Sequence, residues 1–307
     1  MLTPAVLYQP QTPTASAFRV MERDVAILEA LHRYRMLTRR QVEQLFFTRT
    51  SDEGSPTRAY KRLRSLFLHG FVECIERPFA PFVFRLAKRG AKLLAERAGV
   101  SPADFHYWGK GDDRDRHPTN VTHYFLEHAL ALSHFRIAIE QAVAQAGWMI
   151  ERWVDEVDMR AAQRGHATVF EPVTGAGNIN LRVMPDGYFA LRAPVGHRGH
   201  FFVEVDRGSE TVSKAWKRKA LAYKELFASG TFHETFRVGD RAVRFRVLVT
   251  TPSLPRAHNI QAVVAKHGKQ ELSDLFLFTP FQDVVAHDPL TAPIWRRGGT
   301  TVAQALL

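Results

Sequence analysis

A single cysteine, Cys74, stands among 307 residues, so the chain can close no internal disulfide and can build no cysteine-rich metal site. That suits a reducing compartment. No stretch approaches the run of roughly eighteen apolar residues that a membrane span needs. The opening residues, MLTPAVLYQPQTPTASAF, have neither the basic start nor the unbroken apolar run of a signal peptide. These absences predict a soluble, cytoplasmic protein with no membrane partner. Acidic residues are also in deficit. Against 42 Lys and Arg there are 31 Asp and Glu, a formal charge of +11, with a pI near 10.0. A surplus of that sign draws a chain to polyanions.

What is present is ordinary in amount: a hydrophobic fraction of 45% is enough for packed cores and argues against general disorder. The length suits two domains. Residues 1–18, rich in Pro, Thr and Ser, read as a flexible lead. Residues 19–98 are dense in helical signals, and residues 99–120 (GVSPADFHYWGKGDDRDRHPTN) read as a linker with a short packed turn near Phe105. Residues 121–307 form the second domain.

The basic surplus is local. Residues 19–98 hold 17 Lys and Arg against 9 Asp and Glu, a difference of +8. Val25, Leu28 and Leu31 mark a first helix. Thr38 and Gln41 have the spacing of a capping box and open a second. A third helix begins near Ser55-Pro56. Its stripe of Ala59, Leu63, Leu66 and Phe67 predicts a buried face, and Arg58, Lys61, Arg62 and Ser65 lie opposite. Phe71–Ile75 and Phe82–Leu86 then read as a hairpin around ERPFAP. Three helices followed by a hairpin predict a winged helix-turn-helix domain that binds double-stranded DNA. The third helix would read base edges, Lys88, Arg89 and Lys92 at the start of a fourth helix would add phosphate contacts, and Arg39 and Arg40 are further DNA-binding candidates.

In the second domain the elements read α-β-β-β-α-β, then a further helix and strand, which predicts a mixed α/β fold. Asp186 follows Pro185 in one strand. Glu204 and Asp206, two apart in FFVEVDRG, project from one face of the next. Carboxylates converging from neighbouring strands are the hard oxygen ligands that Mg²⁺ takes, with Asp186 and Glu204 as the candidate metal ligands. Without a metal, charges interrupting an apolar strand call for a cationic partner. The helix from Thr211 to Phe227 offers one: Lys219 falls inside its apolar stripe of Val212, Ala215, Trp216, Tyr223 and Leu226. Gly175-Ala176-Gly177 lacks the context of a phosphate loop and reads as a turn.

Asp186, Glu204 and the α-β-β-β-α-β order resemble the restriction-endonuclease-like fold, whose signature is Pro-Asp followed by (Asp/Glu)-x-Lys. Asp206 stands where that motif has Lys, and Lys219 would replace it from the helix. The chain as a whole resembles the plasmid replication-relaxation family. That likeness is carried by RDVAILEALHRYRMLTRRQVEQLF, RLRSLFLHGFVE, HALALSHFRIAI, PDGYFAL, and FFVEVDRGSE with Lys219 and Tyr223. It implies a part in plasmid or mobile-element replication, relaxation or mobilisation, with relaxase or replication proteins as partners.

Three functions follow as expectations: a DNA-binding accessory protein without catalysis; a Mg²⁺-dependent nickase or endonuclease; and an autoregulatory transcriptional repressor. In the nuclease, Asp186, Glu204, Asp206 and Lys219 would be the catalytic group. All three require DNA affinity that falls steeply with salt. Nothing in the residues fixes an oligomeric state.

Overall fold

The computed structural model describes residues 18–47, 56–77, 79–105, 107, 123–156, 158–159, 173–175, 179–181, 184–236, 238, 243–267, 274–298 and 300–307. Most of the lead, the loop at 48–55, most of the 99–120 linker and two of the three residues of the Gly175–Gly177 turn lie outside them. The chain divides into two compact units, 1–134 and 135–307.

In the first unit, α1 (Glu22–Tyr34) is followed by β1 (Leu37–Thr38), α2 (Arg39–Phe46) and α3 (Pro56–Leu68). The expected capping box is present: Gln41 N–H donates to Thr38 Oγ1 at 3.3 Å, and Thr38 N–H donates to Gln41 Oε1 at 2.7 Å. β2 (Val72–Ile75) and β3 (Val83–Leu86) form the hairpin, and α4 (Lys88–Ala98) follows. The unexpected element is β1, which pairs antiparallel with β3 to give a three-stranded sheet of order β1-β3-β2. Two residues are too few for any alternating pattern to announce a strand.

Ile27, Leu28, Leu31, Val42, Ala59, Leu63, Leu66 and Val83 are fully buried, so the predicted inner face of α3 is the inner face found. Gly90 of α4 sits against the backbone. A Cβ there would lie 2.4 Å from the Phe71 carbonyl oxygen, closer than any side chain tolerates. The first part of α5 (His123–Gln145) also packs in this unit: Leu126 and Leu130 join Met36 and Val83, and the Ser133 hydroxyl lies 2.9 Å from the carbonyls of Tyr34 and Met36.

The second unit is built on a seven-stranded mixed sheet. Its strands are β4 (Met149–Asp155), β7 (Gly187–Arg192), β8 (Arg198–Val205), β9 (Phe245–Thr251), β10 (Phe276–Pro280), β11 (Trp295–Arg297) and β12 (Ala303–Gln304). They pair in the order β12-β11-β10-β9-β8-β7-β4. β8, β9 and β10 are mutually parallel at the centre, and the flanking pairs are antiparallel. A separate hairpin joins β5 (Val173–Gly175) and β6 (Ile179–Leu181). Between β8 and β9 run α6 (Val212–Ser229) and α7 (Thr231–Phe236). α8 (Leu254–His267) links β9 to β10, and α9 (Phe281–Ala286) follows β10. Tyr188, Phe202, Val247 and Phe276 on one face of the sheet pack with Trp216 and Tyr223 of α6 and Ile260 of α8. On the other face Phe189 stacks against Trp153 and Phe201, with Phe135 of α5 beside it. The mixed α/β class read from the sequence is the class observed.

One interaction in the first unit bears on its stability. Asp24, fully buried, accepts from the Met21 N–H at 2.6 Å and is held in a bidentate pair by Arg62 of α3. Removing the arginine strands a carboxylate in an apolar interior. Arg62→Ala is therefore expected to lower unfolding stability by about 3 kcal/mol in urea titrations, whereas Lys61→Ala, on the exposed side of the same helix, leaves the midpoint in place.

Candidate functional site

Two sets of residues concern function, and they lie in different units. In the first unit, Arg58 and Lys61 are exposed on α3, and Ser65 on the same side is half-buried, its carbonyl 2.8 Å from His69 Nδ1. Arg62 departs from this group. Its guanidinium turns inward to Asp24, also donates to the Arg19 carbonyl at 3.1 Å, and lies over the Phe18 ring at 4.8 Å. On α2, Arg39 pairs with Glu43 at 3.3 Å, and Arg40 is exposed. At the start of α4, Lys88 is exposed. Arg89, also exposed, donates to the His69 carbonyl at 2.8 Å and lies over the Phe71 ring at 4.6 Å. Between β2 and β3 the hairpin carries Phe79, fully exposed and at a positive φ of 57°. Behind it Arg77 is ion-paired with Glu127 of α5.

In the second unit the carboxylates read from the sequence do converge. β8 delivers Glu204 to the α6 side of the sheet, where it is 1% exposed. Lys219 Nζ donates to Glu204 Oε2 at 2.5 Å and the Tyr223 hydroxyl donates to Oε1 at 2.7 Å. Both donors come from α6 at i and i+4, one above the other on its inward face. Asp186, at the entrance to β7, accepts from the Val205 N–H at 2.6 Å through Oδ2. It lies close enough that its charge acts on both Glu204 and Lys219.

The electrostatics follow from this packing. Burial pushes the Glu204 carboxyl up, to about 7, and the charge of Asp186 adds to that, while Lys219 and the two hydrogen bonds oppose it. Burial alone would lower Lys219, but the charges of Glu204 and Asp186 outweigh it and raise the ammonium above its ordinary value. With donors on both oxygens, the geometry is that of a carboxylate clasped by an ammonium and a phenol. Tyr223 is raised well above its usual range by burial and by Glu204, so it remains the donor.

Asp206 shares the same face, as its spacing predicts, but is occupied differently. Arg256 of α8 donates to it at 2.9 and 3.1 Å, the Trp216 indole N–H at 2.9 Å and the Gly208 N–H at 2.8 Å. Burial pushes its carboxyl up, yet these hydrogen bonds win and hold it below the usual carboxylate range. Sequence reasoning assigned Trp216 and Tyr223 to the core alone. Tyr223 was readable in principle, four residues beyond Lys219 on the same stripe. Arg256, fifty residues from its partner, left no signal.

The Mg²⁺ expectation names Asp186 and Glu204 as ligands. A hard cation needs carboxylate oxygens with lone pairs to spare. Here Glu204 is taken on both oxygens, and Asp206 is saturated by donors. Among the described residues no group of three His, Cys, Asp or Glu is arranged to hold a metal. In this arrangement Glu204 is engaged by Lys219 and Tyr223, and Asp186 by the Val205 N–H through one oxygen. No helix is long and apolar enough to cross a membrane among those residues.

The chain is thus a two-unit α/β protein, with a basic helix face in one unit and a carboxylate–lysine–tyrosine clasp buried in the other. It belongs to the replication-relaxation family, whose sequence model matches residues 28–240, a span that includes both features. No curated protein and no solved structure matches it.

Lys219→Met should destabilise the protein at pH 8 by about 3 to 5 kcal/mol, because it leaves ionised Glu204 buried without its cation. The sign with pH is fixed by the raised carboxyl. Without Lys219 the carboxyl is raised further, so as pH falls it takes up a proton already above about 7, no longer needs the ammonium, and the loss shrinks. Urea titrations of wild type and variant at pH 8 and pH 5.5 read the difference.

Proposed function

We propose that this chain is a DNA-binding accessory protein acting in replication or relaxation of plasmid or mobile-element DNA. In this reading the first unit is a winged helix-turn-helix domain. α3 enters the major groove and the β2–β3 hairpin is the wing. The observation that carries the reading is the exposed face of α3. Ala59, Leu63 and Leu66 are fully buried while Arg58 and Lys61 face solvent, so the helix is anchored on one side and cationic on the other. Membership of the replication-relaxation family supplies the biological setting.

The contacts divide by position. Arg58 and Lys61, with Ser65 between them and the helix end, are the candidates for base edges and neighbouring phosphates. Arg40, Lys88 and Arg89 are suited to phosphate contacts that fix orientation without reading sequence. Arg62 supports the helix rather than the DNA, because its donors are spent on Asp24 and the Arg19 carbonyl. Phe79, presented at the wing tip, is an apolar group of the kind that enters a minor groove.

The second unit serves this reading as a folded platform. Glu204, Lys219 and Tyr223 bind one another and fix α6 on the sheet. Relaxase or replication proteins remain the expected partners, through surfaces other than this buried clasp.

Fluorescence anisotropy with labelled duplex DNA tests the proposal. Lys61→Ala and Arg40→Ala should each weaken binding, and each should reduce the slope of log affinity against log salt by about 1 if it removes one phosphate contact. Tyr223→Phe, inside the second unit, should leave affinity unchanged. Wild-type binding with no salt dependence, or surface variants that bind like wild type, would overturn the reading. In a companion supercoiled-plasmid assay with Mg²⁺ no nicking is expected. Cleavage abolished by Asp186→Ala would instead establish a nuclease.

A further inference from the structure

At the opposite end of β8 from Glu204, the second unit opens into a cleft of about 380 Å³. Arg198, Arg244, Arg246 and Arg297 line it, and Asp274 is the one acidic side chain among the described residues that do. Such a ratio is unusual for a concave site, where like charges are crowded and water is partly excluded. Two of the arginines have compensation elsewhere. Arg198 is ion-paired with Glu151 at 2.9 Å, and Arg244 lies over the Phe227 ring at 5.4 Å.

Arg246 and Arg297 are placed otherwise. Arg246 sits beside Phe201 in the parallel pairing of β8 and β9. Arg297 of β11 sits opposite Leu277 of β10, whose parallel partner on β9 is Leu248. Because residues two apart share a face, Arg246 and Arg297 lie on the same side of the sheet with one strand between them. The backbone thus holds two guanidiniums near each other. Burial lowers the Arg246 guanidinium, the positive charge of Arg297 lowers it further, and Asp274 offsets this only in part. Arg297 Nε is buried with no hydrogen-bond partner.

His200 also borders the cleft, but its ring lies on the other face of the sheet from Arg246 and Arg297, against Tyr188 and Phe232. His200 is buried, and burial holds it below the ordinary histidine range, so it is neutral. Its Nδ1 lies 2.7 Å from the Tyr188 hydroxyl. Burial also raises Tyr188, which therefore keeps its proton and donates it. That leaves the imidazole proton on Nε2, which is buried and has no partner. An unspent buried donor is costly, and Arg297 Nε is satisfied by an acceptor that enters the cleft between it and Arg246.

We propose that this cleft binds the phosphate group of a nucleotide unit, with the guanidiniums of Arg246 and Arg297 gripping the anion. Planar guanidiniums match phosphate oxygens in a two-pronged geometry, and a phosphate neutralises the repulsion between them. The half-buried indole of Trp148 lines the same cleft and offers a surface on which a base stacks. The ligand is a free nucleotide or the nucleotide of a single strand, since both present the same group. The site is independent of the duplex-docking face of α3.

Isothermal titration of the full chain with inorganic phosphate, with deoxyadenosine monophosphate and with a short thymidylate strand tests this. Wild type should bind the nucleotide-bearing probes. Arg246→Gln should weaken them about ten-fold, the loss of one charge-assisted grip, and Arg246→Gln with Arg297→Gln should abolish binding. Arg246→Lys should restore part of it. Equal affinity for monophosphate and strand identifies a free nucleotide, while preference for the strand identifies single-stranded nucleic acid. The glutamine variants should melt no lower than wild type in phosphate-free buffer, because each removes a like-charge contact. Lys61→Ala should titrate with deoxyadenosine monophosphate like wild type, which separates this site from the duplex face. Absence of binding to all three probes, or glutamine variants that bind like wild type, would overturn the proposal.

Discussion

The buried carboxylate of Glu204 sets the terms for the second unit. An ionised group at 1% exposure in the middle of an apolar strand is unstable unless its charge and both oxygens are answered. A single helix answers both: Lys219 and Tyr223, four residues apart, reach the two oxygens from one face of α6. That requirement fixes how far along β8 the helix lies and which way it is rotated. Trp216, on the same face, then falls against Asp206, and Arg256 from α8 closes on Asp206 from the other side. Two helices are thereby keyed to the end of one strand, β8, by polar contacts. Hydrophobic packing of Phe202, Tyr223, Phe245 and Phe276 supplies area, but area alone tolerates sliding.

The first unit uses the same device with the signs of its elements exchanged. There the buried acid is on a helix, Asp24 of α1, and the cation comes from α3. In both units an acid and a base are consumed inside, which leaves the surface charge of the first unit dominated by residues that face water: Arg40, Arg58, Lys61 and Lys88. The formal surplus of the sequence therefore understates how the charges are sorted. Each such pair takes one acid and one base out of play, and the exposed bases that remain are what an approaching polyanion meets.

Much of this was legible in the residues, because it is local. Thr38 and Gln41 announce their box three residues apart, the α3 stripe follows the helical repeat, and Glu204 and Asp206 share a face by the two-residue period of a strand. Lys219 inside an apolar stripe pointed at a buried acid. Other features were not legible for an equally physical reason. The partner of Asp24 is thirty-eight residues away and that of Asp206 is fifty away, so no spacing rule connects them. Arg62 lies on the cationic side of a helical projection, yet its long side chain curls back to Asp24, a path no projection predicts. β1, β11 and β12 have two or three residues each and are defined by their neighbours rather than by their own pattern. The arginine cleft is assembled from three strands and a loop, and was invisible for the same reason.

The inward turn of Arg62 has a consequence for how such a helix can evolve. α3 is clocked about its own axis by a buried ion pair, so positions 58, 61 and 65 stay on the solvent side whatever residues occupy them. On the proposed reading of α3 as the DNA-contacting helix, the exposed position 61 can change with little effect on folding, while position 62 is closed to change. Specificity and stability are written on adjacent residues of one helix yet are separately heritable. On that reading the domain is retargeted by substituting its exposed face alone.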